Sequence, residues 1–304
     1  MLPLTGWIAI GSMSLPINPL PEPSDNLAEP STLVSQELSV PSEPLPIAPL
    51  ETIAPIPTGP RFPAWSWWDV LAVVGFTIFT VISFGIIALT IARHLPAYRG
   101  VPIADLATDA RILVGAQAAA YPIILILIYV VTRSRSGQRF SDAIHWNWPG
   151  NAAPGFVIAG GVLALVVEGL SSYLPIPKSL PIDSYFHDAT SAYVLAAFGV
   201  TLAPLMEEMF FRGMLYPLLR RGFGLTAAII LTAAPFAAIH GAQLSYAWAP
   251  LLSIFVVGVV LTVTRARTDS VAASFLMHCG YNSALFAALW VASDHFRHLE
   301  KVGG

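Results

Sequence analysis

The chain has 304 residues, 55% of them hydrophobic and only 11% charged, where a soluble domain carries roughly 25% charged residues. That balance excludes a water-soluble enzyme, and the lack of a basic patch excludes a nucleic-acid-binding protein. The net charge of −3 is unevenly spread: residues 1–65 hold six acids and one base, so the remainder is positive.

Residues 1–65 also hold 14 of the 26 prolines. Proline at this density denies the backbone a helix or a ladder, which predicts an acidic, disordered or polyproline-type tail. Its apolar opening has no basic n-region and so does not read as a cleaved signal peptide. Trp65, Trp67 and Trp68 mark the first membrane boundary, because amphipathic indoles settle at the headgroup level. Ser66 and Asp69 resemble a helix entry. Apolar runs near 20 residues, long enough to cross about 30 Å of hydrocarbon, predict spans over 69–92, 110–132, 154–174, 190–219, 225–241, 247–264 and 270–293. The alternating ten-residue segments of a membrane barrel are absent. The expected fold is therefore all-α, a polytopic bundle of about seven spans over 66–294 with a short polar tail at 295–304. Pro175 and Pro177 stop the third span, and Pro204 permits a kink in the fourth. Arginine and lysine divide eight to six between the two faces, a slight bias that puts the N-terminus of this integral membrane protein in the cytoplasm.

A few polar residues fall inside the spans: Glu168, then Glu207, Glu208 and Arg212, then His240, then His278 and Asn282. Ionisable groups are costly there, face the bundle interior and mark functional sites. Glu208 and Arg212, four apart on one helical face, form an ion pair in the favourable order. Glu207, turned about 100° away, is left free. His278 and Asn282 share a face, as do Phe236 and His240. Glu168, near a span end, reads as structural, and Cys279 and Phe236 as packing. His94, His145, His187, His295 and His298, in loops or tails, read as solvated.

Such a set suits hydrolysis. A carboxylate away from bulk water takes a proton from a water molecule, a histidine orients that water, and a second histidine with an amide meets a carbonyl oxygen as it becomes negative. Alternatively Glu207, His240 and His278 are ligands for a divalent metal such as zinc, which activates bound water directly. The HExxH helix of zinc proteases is absent, and no cofactor is required by the metal-free version.

Glu207–Glu208–xxx–Arg212, Phe236–xxx–His240 and His278–xxx–Asn282, in that order on separate apolar helices, resemble the CPBP family of CAAX-protease and bacteriocin-processing (Abi) membrane proteins. The likeness covers about residues 190–290 and extends through Ala203–Gly213. It implies an intramembrane endopeptidase that cuts a membrane-associated protein or peptide within the lipid bilayer. By the same resemblance Glu207 is the base with His240 its partner, His278 and Asn282 are oxyanion donors, and Glu208–Arg212 is structural. A catalytically silent scaffold or immunity-type binding protein of the same fold is the alternative, though every motif position is filled. A proton-coupled transporter is disfavoured by the absence of paired broken helices. One tension accompanies these limits. Glu207 lies about 14 residues from the arginine end of its helix and His278 about eight from its own, a difference in depth of roughly 9 Å. The stretch Gly213–Arg221 is therefore expected to run partly through the interface.

Overall fold

The structure is a computed structural model that describes residues 62–177 and 179–299. The expected proline-rich tail, up to residue 61, lies outside the described residues, as do residues 300–304 of the C-terminal tail. Every regular element among the described residues is helical. The chain runs α1 (Trp67–His94), α2 (Ile103–Ala107), α3 (Ala110–Ser136), α4 (Phe140–Ile144), α5 (Ala153–Ser171), α6 (Ala189–Val200), α7 (Leu202–Glu208), a π-helical segment (Met209–Leu215), α8 (Tyr216–Ala238), α9 (Trp248–Thr268) and α10 (Val271–Ala292).

Among the described residues six helical runs are long and apolar enough to cross a membrane. One of them, Ala189–Ala238, has 50 residues. At 1.5 Å per residue it would extend about 75 Å, far more than one bilayer. It breaks at Gly224, whose φ of 78° and ψ of 179° lie outside the helical region and suit only a residue without a Cβ. The run therefore covers both the fourth and the fifth expected spans, in keeping with about seven spans among the described residues. A second discontinuity falls at Thr201 (φ −120°, ψ −73°), between α6 and α7. Pro204 lies in the first turn of α7 and has no N–H to offer the preceding turn, so the chain bends where the proline predicts.

The helix entries follow their sequence. The Ser66 hydroxyl accepts from the Asp69 N–H, and Asp69 Oδ2 accepts from the Ser66 N–H at 2.8 Å, a reciprocal cap on α1. The other Asp69 oxygen takes two bonds from Arg135 in the last turn of α3, at 3.0 and 2.8 Å. Helices α1 and α3, which pack along each other, are thus tied together at one end.

Helix α10 packs mainly on α5, and glycine makes that crossing possible. A Cβ on Gly160 would lie 1.9 Å from the Met277 carbonyl oxygen, and one on Gly280 would lie 2.1 Å from that of Val157. The two backbones touch directly, as small residues allow in membrane bundles. This fixes the height of Met277, and so of its neighbour His278.

Four connecting segments meet at one membrane face. The His145 carbonyl accepts from the Val271 N–H at 2.9 Å, and Asn147 Nδ2 donates to the Asp269 carbonyl at 2.7 Å. Arg221 donates to the Pro63 carbonyl and, at 3.4 Å, to that of Trp65. The approach to α1 and the loops after the second, fourth and sixth spans thus lie on the same side, as a seven-span count requires. Trp65 departs from the expectation. Trp67 and Trp68 are exposed, but Trp65 is only 1% exposed, its Nε1–H donating to the Met214 carbonyl at 2.9 Å. His145 is likewise not solvated: its Nδ1 lies 2.7 Å from Asp269 Oδ2, and its ring packs on Phe62.

Candidate active site

Glu208 ends α7, and Arg212 sits one turn further on in the π segment, which widens the helix locally. Such π turns are frequent at functional sites. Both side chains are fully buried. Arg212 Nη1 donates to Glu208 Oε1 at 2.7 Å, Nη2 donates to the Gly258 carbonyl at 3.0 Å, and Nε reaches Thr262 Oγ1 at 3.4 Å. The guanidinium also stacks 4.4 Å above the Phe236 ring, a favourable position for a cation over a π face. Each side of the group is occupied, which is what a charge held away from water requires.

His278, on α10, is 4% exposed and spans both glutamates. Its Nδ1 lies 3.0 Å from Glu208 Oε1, and its Nε2 lies 3.8 Å from Glu207 Oε2. Because a carboxylate only accepts, Nδ1 carries the proton in that bond. Nε2 is therefore the nitrogen turned towards Glu207. One oxygen of Glu208 thus serves two donors, while Oε2 has no hydrogen-bond partner. The Glu207 side chain keeps 19% of its surface, whereas that of Glu208 is fully buried.

His240 is positioned differently. Helix α8 ends at Ala238, and His240 follows in a turn with Nδ1 donating to the Phe236 carbonyl at 2.9 Å. It meets the cluster through the Phe236 ring, whose centroid lies 5.5 Å from the His240 ring and 5.8 Å from that of His278. Phe236 is 2% exposed and is the wall that both imidazoles and the guanidinium share, more than the spacer its position in the motif suggests. Asn282 Nδ2 donates to the Gly199 carbonyl at 2.6 Å, near the Thr201 break. One amide hydrogen therefore knits α10 to α6, and the second remains to be donated. Glu168 is exposed, apart from this group.

The structure thus joins Glu207, Glu208, Arg212 and His278 into one cluster, adjoins His240 through Phe236, and sets Asn282 one turn from His278. The difference in depth expected from the span limits does not keep the groups apart, since Glu208 and His278 touch.

Donor geometry also tests the metal alternative. Among the described residues no three His, Cys, Asp or Glu side chains converge on a point where they could hold a metal ion. Glu207, His240 and His278 are not gathered into such a set. No step below passes through a metal.

Residues 189–284 match the family model described as type II CAAX prenyl endopeptidase Rce1-like. The match covers the α6–α10 segment that carries all three motifs, and it bears out the resemblance to the CPBP family read from them. It points to CAAX-type membrane protease activity. No curated protein and no solved structure matches the chain. The apolar helices and this match together identify an integral membrane protein.

Proposed function

We propose that the protein is an intramembrane endopeptidase in which Glu207 activates water to hydrolyse a peptide bond of a membrane-associated protein or peptide. The observation that carries this reading is the unequal treatment of two adjacent carboxylates. Glu208 is bonded at Oε1 by a guanidinium and an imidazole, whereas Glu207 lies 3.8 Å from His278 Nε2 and retains some exposed surface. A base has to receive a proton in the reaction, and only Glu207 has room for a water molecule that could give one.

His240 orients that water from the far side of Phe236, using the Nε2 left by its bond to the Phe236 carbonyl. The water oxygen attacks the scissile carbonyl carbon and its proton passes to Glu207, which then delivers it to the departing amine. His278, held at Nδ1 by Glu208, presents its Nε2 to the developing oxyanion and serves as one donor there. The remaining Asn282 amide hydrogen is the second donor. Arg212 pairs with Glu208 Oε1, the same oxygen that holds the His278 ring in place. The arginine-rich face, where the approach to α1 lies, is turned to the cytoplasm.

The test compares wild type with Glu207→Ala in liposomes, by mass spectrometry of cleavage products from membrane-anchored peptides, prenylated and unprenylated. The variant should insert normally and yield no product. Equal cleavage by both proteins would remove Glu207 as the base. Absence of cleavage by wild type across peptide classes would favour the silent-scaffold alternative.

A further inference from the structure

A second site is built where the connecting segments meet. A half-open cavity of about 260 Å³ lies at the face formed by the loops after the second, fourth and sixth spans. None of the motif residues lines it. Its volume is just under the roughly 300–1,000 Å³ of pockets for drug-sized ligands, so it suits one compact polar group.

Its charge is unbalanced. Arg220, Arg221 and Arg265 border the cavity with a single carboxylate, Asp269, and both oxygens of that carboxylate are taken. Oδ1 accepts from Arg265 Nη1 at 2.7 Å, and Oδ2 lies 2.7 Å from His145 Nδ1. Arg265 is 1% exposed and is further held by its Nε bond to the Arg212 carbonyl at 3.3 Å. Asp269 therefore neutralises Arg265, and no carboxylate among the described residues pairs with the other two. Arg221 donates to backbone carbonyls, and among the described residues Arg220 donates to the Tyr216 phenol oxygen, at 3.2 Å. Two positive charges thus face a small cavity whose walls include Phe62 and Tyr216. Burial alone would raise the Asp269 carboxyl, but Arg265 and His145 outweigh it and hold it below the ordinary value, so it stays charged and does not release Arg265.

We infer that this cavity binds a phosphate-bearing anion, with two uncompensated guanidiniums as its donors. Guanidinium forks match phosphate oxygens in charge and geometry. The location, at the ends of membrane-crossing helices, is the level at which lipid phosphates lie, and basic pockets between such helices hold anionic headgroups. A lipid phosphodiester and a free phosphate would present the same oxygens, so the experiment has to separate them. The inference does not depend on the cleavage chemistry.

The full-length protein is purified in a neutral detergent, and its thermal unfolding is followed as phosphatidylglycerol, phosphatidylcholine or inorganic phosphate is added. Phosphatidylglycerol should raise the wild-type Tm and phosphatidylcholine should not. Arg220→Gln should need about fivefold more phosphatidylglycerol for the same rise, the worth of one arginine near an anionic surface. Arg220→Lys should keep most of the response. Arg267→Gln removes an exposed charge on the same face outside the cavity and should respond as wild type. A Tm rise with inorganic phosphate that Arg220→Gln weakens would identify free phosphate as the occupant of the same site. An equal response of Arg220→Gln and wild type, a loss as large in Arg267→Gln, or no response to any of the anions would overturn the assignment.

Discussion

Replacing each glutamate of the pair in turn by glutamine separates their roles. In Glu208→Gln the side chain keeps its shape and one acceptor oxygen, but Arg212, fully buried, loses the one carboxylate among the described residues that is bonded to it. Breaking a buried ion pair by neutralising one partner costs about 3–5 kcal/mol, because the remaining charge is left uncompensated. The Gly258 and Thr262 oxygens and the Phe236 ring stay in place and reduce that cost, so the lower end, about 3 kcal/mol, is expected. At about 2–4 °C per kcal/mol for a chain of this size, the Tm should fall by roughly 6–12 °C. Glu207→Gln removes only a contact of 3.8 Å to His278 and should change stability by less than about 1 kcal/mol. Its effect on turnover should be the reverse of mild, a loss of at least about a hundredfold, the least expected for a missing general base. Thermal unfolding in detergent and single-turnover cleavage in liposomes provide the two readouts. Comparable Tm losses in the two variants, or retained cleavage in Glu207→Gln, would refute the division of labour argued from the distances.

Other consequences follow from the same geometry. Gly160→Val puts a branched side chain where a Cβ already lies 1.9 Å from the Met277 oxygen; helices α5 and α10 must separate, and loss of folded yield in size-exclusion profiles should exceed that of Gly161→Val, whose Cβ has a neighbour only at 4.0 Å. Asn282→Ala removes the bond to Gly199, at a stability cost of about 1 kcal/mol, yet should lower kcat by about 10²–10³ if the amide meets the oxyanion, so a Tm and kcat measurement on one preparation distinguishes a donor from a simple tie. Asp269 has a folded pKa below its ordinary 3.8; its contribution to stability is therefore complete above that value and lost as pH falls through the lower folded value. A Tm-against-pH curve taken from about pH 5 down to about pH 2 should fall more steeply for wild type than for Asp269→Asn.

The sequence makes the local relations legible. Glu208 with Arg212 is a four-residue spacing on one helix, so the freedom of Glu207 can be read before any fold is known. Pro204 announces one discontinuity of the long fourth run by its own backbone chemistry, while the break at Gly224 falls between the expected span limits at 219 and 225. The relations that escape are between segments far apart in the chain. Nothing near Glu208 reveals that its oxygen also holds His278, 70 residues away. Hydropathy puts Trp65 at the membrane boundary but cannot see the carbonyl of Met214 that draws the indole inward. His145 looks like an ordinary loop histidine until the loop before α10 brings Asp269 to it. The π segment also leaves no clear trace, since a shift from four- to five-residue bonding changes which carbonyls are free without changing the apolar pattern.

Those freed carbonyls carry a practical consequence. Within the π segment, Met214 takes the Trp65 indole and Arg212 takes Arg265, so two distant side chains caulk the seam that the widened turn opens. A truncated version trimmed by hydropathy to begin at the first apolar helix would discard the indole and leave an oxygen stranded in a greasy interior. The folded body starts at least two residues before that helix does, and expression boundaries drawn there should be generous.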